Sequence, residues 1–224
     1  RDLGAEDYLV KPISREELLN AVRARLARSR QLQMVQLQQS YESSLTMLAN
    51  AIEVRSEYTR GHVERVTAYA LALAGNLGIN GKRLEALRFG AILHDIGKIH
   101  IKEDTLGKKD PLSFDEWEEI RLHPLTGAEM IKDIPYLSPA LPIIRSHHER
   151  WNGKGYPYGM KGEEIPLEAR IFSVVKVWTV LQYDRPFRPA WSQSEATAYI
   201  IEKSGQEFDP QVVAEFLQML KDRE

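Results

Sequence analysis

The 224-residue chain contains no cysteine. Disulfides and thiolate metal sites are therefore excluded, and a reducing, cytoplasmic setting is expected. It also lacks any apolar run near the ~20 residues that a membrane span needs, and no signal peptide opens it. It reads as soluble and intracellular, with no membrane partner. An excess of charge of either sign is missing too: 30 Lys and Arg against 32 Asp and Glu leave a net charge of -2. That balance gives no electrostatic case for nucleic acid or anionic lipid as the main partner. Hydrophobic residues at 43% and charged residues at 28% are ordinary for a globular protein, and the length suffices for one or two domains with a buried core.

From Ser14 to about Glu57 proline and glycine are absent, so nothing there breaks a helix. Ser14 and Glu17 form a capping box that starts it. Leu19, Val22 and Leu26, then Met34, Leu37, Tyr41, Leu45, Leu48 and Ile52, recur at three- and four-residue steps, a seam suited to a partner helix. Arg15, Arg23, Arg25, Arg28 and Arg30, followed by the glutamine-rich stretch Gln31 to Gln39, make the opposite face polar. A solvated coiled-coil face explains this better than nucleic-acid binding. The expectation is a signalling helix (14–44) that forms a homodimer. Ahead of it, Gly4 to Ile13 reads as a turn, a short strand and a Lys11-Pro12 step. This segment (1–13) resembles the last strand of a response-regulator receiver domain, in which Lys11 would help read a phosphoryl group. The acidic pocket is absent, and the segment looks like the remnant of a larger unit.

Residues 45–224 read as helices. Val63 to Leu77, Gly81 to Leu93, Phe114 to Leu122 and Gln211 to Leu220 have helical periodicity, and convincing period-two strands are missing. Ser113 with Glu116 is a second capping box. The glycine- and proline-rich segment Asn152 to Pro166 is a loop. The run Leu87, Ala91, Ile92 places His94 and Asp95 on a buried helix near its C-terminal end. A carboxylate buried there needs a partner, and a metal ion is one. Lys98, a turn beyond, is placed to hold a phosphate. A plain His94–Asp95 hydrogen bond with a surface lysine fits the same residues. The chain has six histidines: His62, His94, His100, His123, His147 and His148. Imidazoles and a carboxylate gathered from several helices suit a metal, yet no simple ligand spacing connects them.

The order of motifs resembles the HD-GYP family, a branch of the HD-domain metal-dependent phosphohydrolases. The matching segments are Tyr58-Thr59-Arg60-Gly61-His62, His94-Asp95-Ile96-Gly97-Lys98-Ile99, His123-Pro124-Leu125-Thr126-Gly127 and His147 through Pro157. Ile165 to Ile171, Asp184-Arg185-Pro186-Phe187-Arg188 and Phe208-Asp209-Pro210 match as well. The resemblance implies an all-α HD-domain bundle over 45–224. It implies hydrolysis of cyclic di-GMP to a linear dinucleotide or GMP, at a binuclear divalent-metal site of iron or manganese. His62, His94, Asp95, His123, His147 and His148 match the family's ligands, with Asp95 bridging. Two such cations acidify a water molecule and stabilise charge on phosphoryl oxygens. Lys98, Arg185 and Arg188 would hold phosphate. Tyr156 would either touch the ligand or pack its loop down. That loop implies contacts with diguanylate-cyclase (GGDEF) domains.

Three departures stand out. Lys176 occupies the position of a metal-ligand aspartate, and an ammonium either excludes one metal or pairs with Asp95 in its place. Thr179 replaces a second aspartate, and Asn152 stands where an aspartate is usual. Tyr58 occupies the place of the glutamate that accompanies a third metal, so at most two metals are expected. Two functions follow: a phosphodiesterase acting as a response-regulator output, or a degenerate relative that binds cyclic di-GMP or a partner protein without turnover.

Overall fold

The structure is a computed structural model that describes residues 12–55, 61–108, 110–184 and 189–222. The receiver-like strand and Lys11 lie outside them, as do Tyr58, Arg185 and Arg188. Among the described residues no sheet forms, and the architecture is all-α. No described helix is long and apolar enough to cross a membrane.

The chain divides into two compact units, one ending at Ser44 and one beginning at Leu45. Helix α1, Arg15–Arg55, runs through the division. Its start is capped as expected: the Ser14 hydroxyl accepts from Glu17 N, and Glu17 Oε2 accepts from Ser14 N. In the first unit Leu19, Val22, Leu26, Met34 and Leu37 are exposed. In the second, the buried stripe of α1 is Leu45, Ala49, Ile52 and Glu53. Leu48 is exposed, like the seam positions of the first unit. The small Ala49 and the charged Glu53, four residues apart, point inward on the face that packs into the second unit.

The second unit continues with α2 (His62–Asn76), α3 (Gly81–Leu93), a 3-10 turn (Ile96–His100), the short α4 (Glu103–Leu106), α5 (Phe114–Arg121) and α6 (His123–Ile131). Then come α7 (Leu141–Ser146), α8 (Leu167–Leu181), α9 (Gln193–Glu202) and α10 (Pro210–Lys221). Helix α8 is the centre, packing on α2, α3, α7, α9 and α10. Ile171, Phe172, Val174, Val175 and Trp178 are all buried there. Valines cost a little helix propensity, but burial on this scale overrides it. Val66, Ala70 and Leu73 of α2, Leu87 and Ala91 of α3, and Val212 and Phe216 of α10 complete the core.

Two close approaches bring the later motifs together. Gly97 packs so tightly on the start of α6 that a Cβ there would overlap the carbonyl oxygen of His123. A Cβ at Gly155 would overlap the backbone of Glu149 and Arg150. The loop 152–166 is pinned by Glu149, whose carboxylate accepts from Tyr158 N at 2.7 Å and Met160 N at 3.0 Å. Arg170 Nη1 donates to Asp209 Oδ2 at 2.6 Å, tying the start of α8 to the cap of α10. The Arg170 and Asp209 motif positions are thus structural.

Candidate metal centre

His94 and Asp95 come just after α3 rather than within it, His94 being the helix's C-cap. The turn ending α3 points both side chains into the unit, where they are 1% and 3% exposed. His123 opens α6, and His147 follows directly on α7. These helix ends converge on Asp95. Its Oδ1 lies 3.1 Å from His123 Nε2 and 3.5 Å from His147 Nε2. Its Oδ2 lies 3.2 Å from His94 Nε2 and 2.7 Å from Lys98 Nζ. Lys98 therefore neutralises the carboxylate at close range in addition to facing the adjoining cavity.

The imidazoles are oriented by their own backbones. His94 Nδ1 lies 2.8 Å from Ala91 O, His123 Nδ1 2.7 Å from Ile120 O and His147 Nδ1 2.7 Å from Ile144 O. A carbonyl only accepts, so each Nδ1 donates to its backbone and each ring turns its Nε2 inward. Two of these meet head-on, with His123 Nε2 and His147 Nε2 3.2 Å apart. Three ring nitrogens and a carboxylate thus converge on one small enclosed volume, as the ligands of a cation do. The donor set of neutral imidazole and carboxylate is also the one that divalent transition metals take.

Two groups of donors each have all their ligand atoms within 4.8 Å of one another. One comprises Asp95, His123, His147 and the half-buried His148; the other comprises Glu53, His94 and Asp95. His62, the first residue of α2, places Nε2 3.8 Å from Glu53 Oε1. Glu53 escaped the sequence reading because a single glutamate in a polar helix looks solvated. Its four-residue step from Ala49 was the available signal.

Burial raises the Glu53 carboxyl to about 8, with repulsion from Asp95 adding to it. Burial would raise Asp95 as well, but His94, Lys176, Lys98 and the His123 hydrogen bond outweigh it and hold the carboxyl well below its ordinary range. Burial, followed by the Lys176 charge, keeps His147 and His148 well below the usual imidazole range, and burial also lowers His94.

Lys176 is on α8 and 7% exposed, with Nζ 3.8 Å from Asp95 Oδ1. It thus faces the carboxylate oxygen shared by His123 and His147. Beside it opens a cavity of about 510 Å³ whose lining includes Lys98, Trp117, Arg121, His123, His148, Arg150, Lys154, Tyr156 and Lys176. The Tyr156 ring stacks on His148, with centroids 4.6 Å apart and planes at 14°, and Arg121 lies over its outer side at 5.7 Å. Trp117, Arg121, Arg150 and Lys154 were not singled out from the sequence. Trp117 and Arg121 are a turn apart on α5 directly before His123, and only the packing of α5 turns that face toward the cavity.

The HD domain family profile matches residues 46–212, and the chain belongs to that family. Its motif order places it in the HD-GYP branch. A cyclic di-GMP phosphodiesterase response regulator of Xanthomonas campestris is 34% identical over 95% of this chain and 61% of its own length. A cyclic di-GMP phosphodiesterase of Thermotoga maritima is 30% identical over 99% of this chain and 67% of its own length. The chain spans only 61% and 56% of two such relatives, the Xanthomonas protein and a probable cyclic di-GMP phosphodiesterase of Vibrio cholerae. A solved cyclic GMP-AMP-specific phosphodiesterase of Vibrio cholerae shares the fold, with a TM-score of 0.65 at 23% identity, covering 81% of this chain and 49% of that one.

Proposed function

We propose that this chain hydrolyses cyclic di-GMP to a linear dinucleotide or GMP. The observation that carries the reading is the inward-facing set of imidazoles around Asp95, opening onto a cavity with cationic and aromatic walls. Asp95, His62, His94, His123, His147 and His148 would hold a binuclear pair of divalent cations, iron or manganese. Cations there would acidify a water molecule and offset charge on the phosphoryl oxygens. The protein's own part is binding and orientation. Lys98, Arg121, Arg150 and Lys154 place positive charge where a dinucleotide's phosphates would lie, and Arg can grip them bidentately. Trp117 and Tyr156 supply the aromatic wall of the cavity, against which a purine can pack. Arg185 and Arg188 remain proposed phosphate contacts from outside the described residues.

The chain would work as the output of a response regulator, with residues 1–13 ending a receiver domain, 14–44 forming a dimerising linker and 45–224 the HD-GYP domain. The response-regulator name of the Xanthomonas relative and the exposed leucines of α1 support this. A cytoplasmic setting and a GGDEF-domain partner at the loop 152–166 belong to the same proposal.

The test is turnover of cyclic di-GMP after anaerobic iron or manganese loading, for the unaltered chain and for Lys176→Asp. Turnover in the unaltered chain is expected. Lys176→Asp should tighten metal binding, because a carboxylate replaces an ammonium near Asp95. Turnover that emerges only in Lys176→Asp would sink the proposal in favour of a binding protein without catalysis.

A further inference from the structure

The candidate centre holds a second buried carboxylate besides that of Asp95. Glu53 is on the last turns of α1, nine residues before His62. It is 4% exposed, and neither carboxylate oxygen has a hydrogen-bond partner among the described residues. One of them lies 3.8 Å from His62 Nε2. A carboxylate oxygen of Glu53, a ring nitrogen of His94 and a carboxylate oxygen of Asp95 all fall within 4.8 Å of one another. A carboxylate enclosed like this without donors is costly, and a buried charge persists only when it is paired or coordinates a metal.

We propose that Glu53 is a metal ligand, supplying the second carboxylate of the cation position formed with His62, His94 and Asp95. The inference rests on the metal reading of the site. Two features assign Glu53 to one side of the centre. His94 meets Asp95 at Oδ2, whereas His123, His147 and Lys176 meet it at Oδ1. The Glu53 cation position therefore lies on the Oδ2 edge, away from the Lys176 ammonium but beside that of Lys98, which a bound cation would displace. A negative ligand on that edge offsets the charge that Lys176 brings to the other.

Manganese is a suitable probe. The full chain, Glu53→Gln, His123→Ala and the double variant would be dialysed against Mn²⁺, and metal per chain read by mass spectrometry. The Mn²⁺-induced shift in thermal unfolding would be recorded beside it. Two Mn²⁺ are expected in the unaltered chain, one in each single variant and none in the double. The position lost in Glu53→Gln should be weakened about 100-fold or more. The metal-free Glu53→Gln chain should unfold at the same temperature as the unaltered one or higher, with a smaller gain on adding Mn²⁺. Glu53→Met, of similar length, serves if the amide disrupts the fold. Equal Mn²⁺ content and affinity in Glu53→Gln overturns the assignment, even if His123→Ala loses metal and the centre itself stands. If the unaltered chain holds a single Mn²⁺, loss in Glu53→Gln supports the assignment and retention overturns it. If it takes up no Mn²⁺, the metal reading falls and the assignment with it.

Discussion

Replacing Asp95 with asparagine would leave the ammonium groups of Lys98 and Lys176 facing a neutral amide in an enclosed site. Stranding buried charge in this way costs about 3 kcal/mol or more. Asp95→Asn should therefore lose its metal and also lower the urea midpoint of the metal-free chain, whereas a solely catalytic residue would leave that midpoint unchanged. Glu53 has the opposite character. Its carboxyl ordinarily titrates near 4.5 and is raised to about 8 in the metal-free fold. Between those values the folded chain binds a proton that the unfolded chain has released, so stability falls as pH rises and levels off above about 8. Glu53→Gln removes that dependence. In metal-free urea titrations from pH 5 to 8, the variant should become progressively more stable than the parent. A difference that does not change with pH would show that the carboxyl is not so raised.

At the scale of elements, helices ending at the same point matter more than their lengths. The starts or ends of α2, α3, α6 and α7 each deliver a histidine, and at Gly97 a close backbone approach holds the turn after α3 against the start of α6. Gly97→Ala tests this. Its Cβ would overlap the carbonyl oxygen of His123, so the turn and α6 must separate. A loss of about 3 kcal/mol in chemical denaturation is expected, with metal affinity falling alongside because His123 moves. The helices with strong periodicity (α2, α3, α5 and α10) were legible in the sequence, as were the capping boxes at Ser14 and Ser113. So were the histidines that meet at Asp95. The partners that packing alone selects were not: Ala49 is too small and Glu53 too polar to register as core, and Trp117 and Arg121 gain meaning only from where α5 lies. Lys176 stood out in the sequence as a departure, but which oxygen of Asp95 it faces required the fold.

On the scale of the whole molecule, α1 joins two units of different chemistry. The second unit buries Leu45, Ala49 and Ile52, while Leu19, Val22, Leu26, Met34 and Leu37 of the first are exposed. A seam of this kind on a helix of 41 residues suits a second copy of the chain. Sedimentation velocity should report a dimer, and Leu26→Glu should shift it to monomer without altering metal content. A chain that sediments as a monomer before any substitution would remove the dimer from the proposal.

The stacked contact between Tyr156 and His148 has a consequence for affinity. One face of the tyrosine rests on an imidazole of the candidate metal centre, and its outer side looks toward Arg121 in the cavity. Any cation that steadies His148 also steadies the platform on which a purine would lie. By thermodynamic reciprocity, whatever factor the metal adds to nucleotide affinity, the nucleotide returns to metal affinity. Under the proposed function, a bound nucleotide would thus tighten the hold on the metal by that same factor.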